Sequence, residues 1–366
     1  MNKNTLKPIL NIFWIIGCLY LFLVGINGMS SAIKGMGSGF AETILSTTSN
    51  PFLALFIGTF ATVLFQSSST TTSMIVSMVS GGVLTLGGAI PMIMGANIGT
   101  TVTNTIVSMG HINRGNEFKR AFSASTVHDF FNMLTTLILF PIEYYFHILE
   151  KGATFMGILL FGNIKQSNVF HSPVKEIVKW GSKQVKLVSF ENNIFFLILS
   201  VALTLFMLFL IVKLLRGLVL SKVEAFFDKY IFKTALRALF FGAVLTVMVQ
   251  SSSITTSLVV PLAGAGVLTL RQIFPYTLGA NVGTTATAII AALTLNVTAL
   301  VTAFAHLLFN ILGILIIYPV PAIRNIPIVL AEKLSELSGK NKFIPLLYLL
   351  VIFIIFPLTI ILIGEL

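Results

Sequence analysis

The sequence predicts an all-α, polytopic membrane protein built from two repeats of inverted topology, each with a re-entrant helical hairpin. The chain is 56% hydrophobic and 10% charged, with a mean hydropathy of +0.97, whereas a soluble domain carries about 25% charged residues. Uncharged runs at residues 9–24, 193–212 and 343–363 are long enough to cross a bilayer as helices. The motif Gln-Ser-Ser-Ser begins at Gln66 and again at Gln250, which indicates an internal repeat.

The repeat is ungapped over its best-matched part. Of the 38 residues from Gln66 to Thr103, 21 are identical to the residue that lies 184 positions later. The matched part includes the cassette Gly-Ala-Asn-x-Gly-Thr-Thr at residues 95–101, which recurs at residues 279–285. An apolar chain that doubles a cassette of hydroxyl, amide and glycine residues is typical of a transporter built from two repeats.

The first repeat is predicted at residues 1–146. A span at about residues 9–29 begins inside, since lysines precede it; a signal peptide is the alternative, but no Ala-x-Ala-like site follows closely. The hairpin at about residues 51–80 has arms too short to cross the bilayer, so we expect it to be re-entrant. Spans at about residues 89–108 and 121–146 bring the number of crossings to three, so the second repeat should begin on the opposite side.

A linker and the second repeat follow. Residues 147–191 are predicted to form the linker, with an interfacial helix at about residues 155–161. Residues 192–320 are predicted to form the second repeat, and residues 321–366 a polar segment with a last span that ends at Ile363. The elements expected in the second repeat are spans at about residues 192–215, 273–293 and 299–319, and a hairpin at about residues 235–264.

The charge of the linker disagrees with an external location. Its lysines include Lys165, Lys175, Lys179, Lys183 and Lys186, and its acidic residues include Glu150 and Glu176. An excess of Lys and Arg marks cytoplasmic segments, but the rule weakens for longer loops. The linker is therefore still predicted to lie outside.

Composition also excludes several classes of function. The net charge of +11 does not indicate nucleic-acid binding, because the basic residues lie in loops between the spans. Cys18 is the only cysteine, which excludes an intrachain disulfide and a thiolate metal cage. The five histidines show no metal-ligand spacing, so no transition metal is predicted. The expected location is the cytoplasmic, or inner, membrane, with the lipid bilayer as solvent.

The serine motifs are unsuited to a helix that faces lipid. Seven consecutive polar residues, 66–72, cover every face of a helix, so a helix break or hairpin tip is the better interpretation. Free N–H groups at such a break can bind an anion, and free carbonyls and hydroxyls can coordinate Na⁺. The alternative is that the hydroxyls only join packed helices. The candidate anion ligands are Gln66, Ser67, Ser68, Ser69, Gln250, Ser251, Ser252 and Ser253, and the candidate cation ligands beside them are Thr70, Thr71 and Thr255.

The Gly-Ala-Asn-x-Gly-Thr-Thr cassettes offer glycines for close approach, amides and hydroxyls. Each cassette begins 29 residues after the glutamine of its repeat, so both can reach the same depth in the membrane. A packing seam of small residues is the alternative. The candidates for Na⁺ coordination are Asn97, Thr100, Thr101, Asn281 and Thr284.

Asp129 is a carboxylate within an apolar segment, in the sequence His-Asp-Phe-Phe-Asn. An ionisable residue at membrane depth indicates a functional site; the alternative is a structural pair with His128 or with a basic residue near the membrane surface. The second repeat has His306 and Asn310 at the corresponding positions but Leu307 in place of the aspartate. A carboxylate in one repeat only is what a site for an additional cation would require.

Together these motifs resemble the type II sodium-dependent phosphate cotransporters, in a short bacterial form. The resemblance covers about residues 55–145 and 235–315. It rests on the paired serine motifs, the two cassettes and the segment Thr-Val-His-Asp-Phe-Phe-Asn at residues 126–132. The chain lacks the long glycosylated central loop and long tails of the animal members, so regulation through those segments is not expected.

The resemblance implies roles for individual residues. It implies that the Gln-Ser-Ser-Ser residues line a phosphate site and that Asn132, Thr284 and Thr287 coordinate Na⁺. It also implies electrogenic transport, since family members with Asp at the position of Asp129 are electrogenic and those with Gly there are electroneutral.

The sequence therefore predicts a secondary active transporter that takes up inorganic phosphate with Na⁺ as the coupling ion, by alternating access. A carrier for another oxyanion, such as arsenate or sulfate, and an ion channel stay open as alternatives, and so does a homodimer. A membrane enzyme would need a carboxylate pair, a Ser/His/Asp arrangement or a metal cluster. His128 and Asp129 project about 100° apart on a helix and form no ready acid–base pair.

Overall fold

The computed structural model describes residues 3–161, 173–223 and 231–364. All regular structure in these three ranges is helical, and no β-strand occurs within them. This confirms the all-α prediction for the described part of the chain. Lys165 and the rest of the linker at residues 162–172 lie outside the described residues.

Nine helices form the described parts of the first half and the linker. They are α1 (Lys3–Gly35), α2 (Ser38–Thr48), α3 (Pro51–Phe65), α4 (Ser68–Gly81), α5 (Leu86–Gly99), α6 (Val102–Met109), α7 (Asn116–Phe146), α8 (Ile148–Phe161) and α9 (Pro173–Val188).

The second half repeats much of this order. Its helices are α10 (Asn193–Val223), α11 (Ala235–Val249), α12 (Ser252–Ser257), α13 (Val259–Gly264), α14 (Leu270–Ala292), α15 (Val297–Ile317), α16 (Pro321–Lys340), α17 (Ile344–Leu350) and α18 (Phe356–Gly364), with a 3₁₀ turn at Ile231–Lys233 and a π-helical turn at Val351–Ile355.

Four helical segments of the described chain are long and apolar enough to cross a membrane. They are Phe13–Gly35, Asn193–Leu215, Val297–Ile317 and Ile344–Gly364. Helices α7 and α14 are as long, but they bury hydroxyl, amide and ionisable side chains inside the bundle. The protein is therefore a multi-pass membrane protein. Its apolar helices accompany two long helices, α7 and α14, whose polar side chains are buried.

The predicted elements differ from the structure in several places. The span predicted at residues 89–108 is wrong as a single helix, because the chain breaks at Thr100 and Thr101 between α5 and α6. Helix α2 was not predicted, and its residues Ala41–Thr48 meet α3 at a bend of 106°. The polar segment after residue 320 is the helix α16, which packs along α7.

The start of α3 shows why the chain turns there. Asn50 is the N-cap, and its side-chain Oδ1 accepts hydrogen bonds from the backbone N–H groups of Phe52 and Leu53 at 3.0 Å and 3.4 Å. Pro51 occupies the first helical position, where its fixed φ suits the helix and its missing N–H costs no hydrogen bond. The sharp bend before α3 is therefore fixed by local sequence.

Two helix pairs related by the repeat pack through glycine in the same way. Helix α3 packs on α5, and α11 packs on α14. A Cβ on Gly95 would overlap the carbonyl oxygen of Leu55, and a Cβ on Gly279 would overlap that of Leu239. Both glycines and both partners are 184 residues apart, so the repeat in sequence is also a repeat in backbone packing.

Candidate functional site

Both serine motifs interrupt a helix at the glutamine, with the same backbone conformation. Gln66 ends α3 with φ 53° and ψ 25°, and Gln250 ends α11 with φ 57° and ψ 25°. This left-handed conformation is uncommon for residues other than glycine. The next residue, Ser67 or Ser251, is extended and caps the following helix. The helices thus break at both motifs, as the sequence predicts, and the two breaks share one local geometry.

The glutamine side chains form hydrogen bonds on both sides of each helix break. Gln66 Nε2 donates to the carbonyl oxygen of Val63 at 2.6 Å, and Gln250 Nε2 donates to that of Val247 at 2.6 Å. Each amide oxygen accepts a hydrogen bond from a threonine that follows the cassette. Thr103 Oγ1 donates to Gln66 Oε1 at 3.0 Å, and Thr287 Oγ1 donates to Gln250 Oε1 at 2.9 Å.

Thr103 was missed by the sequence prediction, although it is the repeat equivalent of Thr287. The signal was present, since Thr103 and Thr287 close the matched stretch of the repeat. Thr287, expected as a Na⁺ ligand, contacts the glutamine of its own motif in this structure.

The serine hydroxyls lie in the first turn of the helix that follows each break. Ser67 Oγ accepts from the backbone N–H of Thr70 at 3.2 Å, and Ser251 Oγ accepts from that of Ile254 at 3.4 Å. The side chains of the remaining serines are buried; they are Ser68, Ser69, Ser252 and Ser253. A helix N-terminus presents N–H groups without intrahelical partners, so each break places hydroxyls and backbone donors at one point inside the protein.

The threonines of the two motifs direct their hydroxyl protons to their own helix. Thr71 Oγ1 donates to the carbonyl oxygen of Ser67 at 3.1 Å, and Thr255 Oγ1 donates to that of Ser251 at 2.9 Å. Thr70 Oγ1 donates to Ser67 Oγ at 3.0 Å. Because each of these protons is used, the hydroxyl oxygens are left as acceptors.

Each serine helix lies against the cassette region of the other repeat. Helix α4 packs against α14, and α12 packs against α6. Asn104 Nδ2 donates to Thr256 Oγ1 at 2.7 Å. Ser253 Oγ donates to the carbonyl oxygen of Thr100, where the chain breaks between α5 and α6, at 3.5 Å. The structure thus brings the serine motifs and the cassettes into contact across the two repeats.

Asparagines join the two halves at the centre of the bundle. Asn132 Nδ2 donates to the carbonyl oxygen of Asn97 at 2.8 Å, and Asn310 Nδ2 makes the equivalent bond to Asn281 at 3.3 Å. Asn281 Nδ2 also donates to Asn132 Oδ1 at 2.7 Å, and His306 Nε2 lies 3.4 Å from Asn97 Oδ1. Three of the predicted Na⁺ ligands therefore form one buried network, which also includes His306 and Asn310.

The cassette threonines bond backwards along their helices. Thr100 Oγ1 donates to the carbonyl oxygen of Ala96 at 2.9 Å, and Thr284 Oγ1 donates to that of Ala280 at 3.1 Å. Thr101 Oγ1 donates to Ile98 at 3.3 Å. All three threonines are buried, so their hydroxyl oxygens are directed away from bulk water.

Asp129 contacts the last apolar segment and not its neighbour in sequence. Tyr348 donates its hydroxyl proton to Asp129 Oδ2 at 2.9 Å, and the Thr101 side chain lies close to the carboxylate, but Asp129 Oδ1 has no partner in hydrogen-bond geometry among the described residues. The carboxylate is fully buried in α7. Tyr348, in α17, was missed by the sequence prediction, because α17 lies outside the duplicated part of the chain.

The Tyr348 contact gives a prediction about stability. Tyr348→Phe removes only the hydroxyl that donates to Asp129, so the protein should lose about 1.5–3 kcal/mol, the usual contribution of a hydrogen bond to a charged group. Thermal unfolding of the purified protein in detergent measures this loss. Tyr20→Phe is the matched control, because the Tyr20 hydroxyl donates to the Ile177 carbonyl at 3.3 Å in an exposed position. An equal, small change in both variants would contradict the prediction.

One group of acidic and imidazole side chains lies outside this centre. Glu143, His147 and Glu150 place one ligand atom each within 4.8 Å of one another. However, Glu143 Oε2 accepts from the backbone N–H of Leu149 at 2.6 Å, and Oε1 accepts from that of Glu150 at 3.2 Å. Both carboxylate oxygens of Glu143 therefore cap the first turn of α8. The absence of a transition metal, expected from the sequence, stays a prediction.

Comparison with known proteins shows the family to which this chain belongs. The sequence model of the Na⁺/Pi-cotransporter family matches residues 21–163 and 187–320 of the chain. The chain belongs to this family. It is a family of cotransporters and not of enzymes, which disfavours the membrane enzyme considered above.

Curated relatives match nearly the whole chain. Sodium-dependent phosphate transport protein 2B of Homo sapiens is 35% identical over 94% of this chain and 64% of its own length. Sodium-dependent phosphate transport protein 2A of Ovis aries is 36% identical over 93% of this chain and 65% of its own length. The chain thus spans slightly less than two thirds of these relatives. No solved structure matches the chain.

Proposed function

We propose that the protein is a secondary active transporter that carries inorganic phosphate into the cell together with Na⁺. The observation that carries this proposal is the pair of matching helix breaks at the Gln-Ser-Ser-Ser motifs, each set against the cassette region of the other repeat in a member of the Na⁺/Pi-cotransporter family. A site that both repeats share suits alternating access, because movement of one repeat against the other exposes the site to each side in turn.

The phosphate site in this proposal lies between the two breaks. Its ligands are the glutamines and serines of the two motifs, with the N–H groups at the start of α4 and α12. The motifs and cassettes contain no Lys or Arg. A phosphate bound there would be held by hydroxyls and helix N-termini, which favour negative charge, and the remaining charge would have to be compensated by bound cations.

Na⁺ is assigned to the oxygens around this site. The proposed ligands come from the hydroxyls of the serine motifs, the cassettes and the central asparagine network, with Asp129 for an additional ion. They are Thr70, Thr71, Asn97, Thr100, Thr101, Asp129, Asn132, Thr255, Asn281, Thr284 and Thr287. Moving a multiply charged anion into a buried pocket costs much free energy unless it is paired. Cations bound beside it offset that cost, which gives coupling between Na⁺ and phosphate a physical cause.

The proposal includes the finer architecture expected from the sequence. Helices α3 and α4, and α11 to α13, are proposed as two re-entrant hairpins, and the two repeats as inverted in the cytoplasmic membrane. The lengths of these helices support this, since each arm has 15 residues or fewer, and a full crossing takes about 20. On this topology, the linker and its helix α9 lie outside the cell.

Uptake of radiolabelled phosphate into proteoliposomes tests the proposed function. With purified protein and an inward Na⁺ gradient, phosphate should accumulate and the rate should rise steeply with external Na⁺. Replacing Na⁺ by K⁺ should lower the rate at least about tenfold, because a loss of 1.4 kcal/mol or more of binding has that effect. Liposomes without protein are the control.

Two further arms separate the alternatives. Unlabelled phosphate on the far side accelerates uptake by a carrier but not by a channel, so the absence of this counterflow would point to a channel. Arsenate and sulfate are offered as competitors, and stronger inhibition by sulfate than by unlabelled phosphate would make sulfate the better substrate. Equal uptake in Na⁺ and K⁺ would reject Na⁺ coupling.

A further inference from the structure

A basic cavity lies well away from the serine motifs. It has a volume of about 740 Å³ and is bounded by the C-terminal end of α1, by helix α9 and by the turn between α14 and α15. Five lysines and one tryptophan are among its lining residues. They are Lys34, Lys175, Lys179, Lys183, Lys186 and Trp180. Four of the linker lysines therefore converge, together with Lys34 of α1, on one cavity.

Four of the lysines form a single stripe on α9. Lys175, Lys179, Lys183 and Lys186 are separated by four, four and three residues, which places them on one face of the helix. Like charges at this spacing destabilise a helix. The acidic residue on the cavity wall is Glu176, whose carboxylate lies 3.5 Å from Lys179 Nζ. The cavity therefore carries a large excess of positive charge.

Lys175 lies within this excess of positive charge. Its side chain is buried, and its Nζ donates to the carbonyl oxygen of Leu295 at 2.6 Å. Burial lowers the pKa of the Lys175 amine, and the positive charges of Lys179 and Lys34 lower the pKa further, against the opposing effect of Glu176. An anion in the cavity would relieve this repulsion.

Neutral hydroxyl and amide side chains also line the cavity. Ser30 Oγ donates to Ser80 Oγ at 3.2 Å, and Asn296 Nδ2 donates to the Ser80 carbonyl at 3.4 Å. Ser80 is at the C-terminal end of α4, whose N-terminal end is the first serine break. A helix of this length rises about 20 Å, so the cavity is a separate place from the proposed transport site.

We infer that this cavity is a second anion-binding site, which takes a phosphate group. Converging lysine amines with neighbouring hydroxyl and amide groups are suited to phosphate oxygens. Free inorganic phosphate and the headgroup of an anionic phospholipid share this chemistry. A stripe of lysines that served only to orient the linker would not require a buried amine or a fifth lysine from another helix. The inference does not depend on Na⁺-coupled transport.

Iodide quenching of Trp180 tests the site directly. Trp14→Phe leaves Trp180 as the only tryptophan, and iodide, an anion, is drawn into a basic cavity. In nanodiscs of phosphatidylcholine and in potassium salts without Na⁺, potassium phosphate at constant ionic strength should lower the quenching constant by about twofold or more. Lys34→Gln/Lys183→Gln/Lys186→Gln should abolish this protection, and it should still fold because these three side chains are exposed.

Two controls and a lipid arm complete the test. Lys151→Gln removes an exposed lysine of α8 outside the cavity and should leave protection unchanged. Ser68→Ala/Ser252→Ala should also keep it, and its loss there would assign the effect to the proposed transport site and reject a second site. If phosphatidylglycerol in the nanodiscs protects Trp180 in the parent but not in the triple lysine variant, the phosphate group comes from lipid. If neither source protects, or if the lysine variant behaves like the parent, the inference is wrong.

Discussion

Gly95→Ala and Gly279→Ala should each destabilise the protein, although alanine is the better helix former. A Cβ at either position overlaps a backbone carbonyl oxygen of the facing helix, that of Leu55 or Leu239. Alanine in place of glycine gains about 0.5–1 kcal/mol in a helix interior, whereas overpacking costs about 1–3 kcal/mol. Backbone cannot move aside as a flexible side chain can, so we expect the overpacking cost to dominate at both positions.

Thermal unfolding in detergent measures the effect, and Gly87→Ala is the matched control. Gly87 also lies in α5, but a Cβ there meets no atom within 4 Å. The control should therefore be as stable as the parent or slightly more stable. Because the two tight contacts are repeat equivalents, Gly95→Ala and Gly279→Ala should lower the unfolding midpoint by similar amounts. Two variants as stable as Gly87→Ala would disprove the close backbone packing.

Much of this architecture could be predicted because its main motifs occur twice in the sequence, 184 residues apart. The breaks at Gln66 and Gln250 follow from polar runs that no lipid-facing helix tolerates, and the fixed offset shows that the runs are equivalent. The helices α10 and α15 follow from uncharged runs of sufficient length. These features depend on composition and on local sequence, so they are visible without coordinates.

The break after α5 shows where local sequence is insufficient. Gly-Thr-Thr occurs in both cassettes, yet the chain breaks at Thr100 and Thr101 and continues as a helix through Thr284 and Thr285. The next residue differs, since Val102 is a poorer helix former than alanine, but this difference is a few tenths of a kcal/mol. At the break, Ser253 Oγ of α12 donates to the carbonyl oxygen of Thr100 at 3.5 Å, a contact between the repeats that local sequence cannot specify.

The arrangement of the candidate site could be predicted only in part. The serine motifs and cassettes were identified from their repetition, but their contacts across the repeats depend on tertiary packing. The Asp129–Tyr348 hydrogen bond joins residues that are 219 positions apart. No pattern in a single sequence links such positions. The lysines of α9 were visible, but only the folded structure brings them together with Lys34 in one cavity.

Asp129→Gly should leave phosphate transport active but remove its response to membrane potential. This expectation rests on the proposed function, in which Asp129 holds an additional Na⁺ and the cycle moves one net positive charge inward. The buried carboxylate has one oxygen, Oδ1, without a hydrogen bond from the described residues, and the second repeat has Leu307 at this position. One charge moved across 100 mV is worth about 2.3 kcal/mol. The parent should therefore accumulate roughly 40- to 50-fold more phosphate per 100 mV, inside negative.

Asp129→Asn separates the charge from the oxygen ligand. An amide keeps an oxygen that can face the ion but lacks the negative charge that holds it in a buried position. This variant should therefore behave like Asp129→Gly, with voltage-independent uptake and a Na⁺ dependence less steep by about one ion. Tyr348→Phe is the structural control, because it removes the partner of Asp129 but keeps the carboxylate. It should retain the voltage response.

Uptake of phosphate into proteoliposomes at two membrane potentials, imposed by K⁺ gradients with valinomycin, tests whether the Asp129 carboxylate holds an additional Na⁺. Each variant is first shown to elute as a single species and to unfold cooperatively, since both aspartate variants and Tyr348→Phe lose the Asp129–Tyr348 hydrogen bond and are all expected to be less stable than the parent. In well-folded Asp129→Gly, a voltage response equal to that of the parent would remove Asp129 from the cation site. Voltage-independent uptake in both aspartate variants, with a normal response in Tyr348→Phe, would show that the carboxylate charge carries the additional ion.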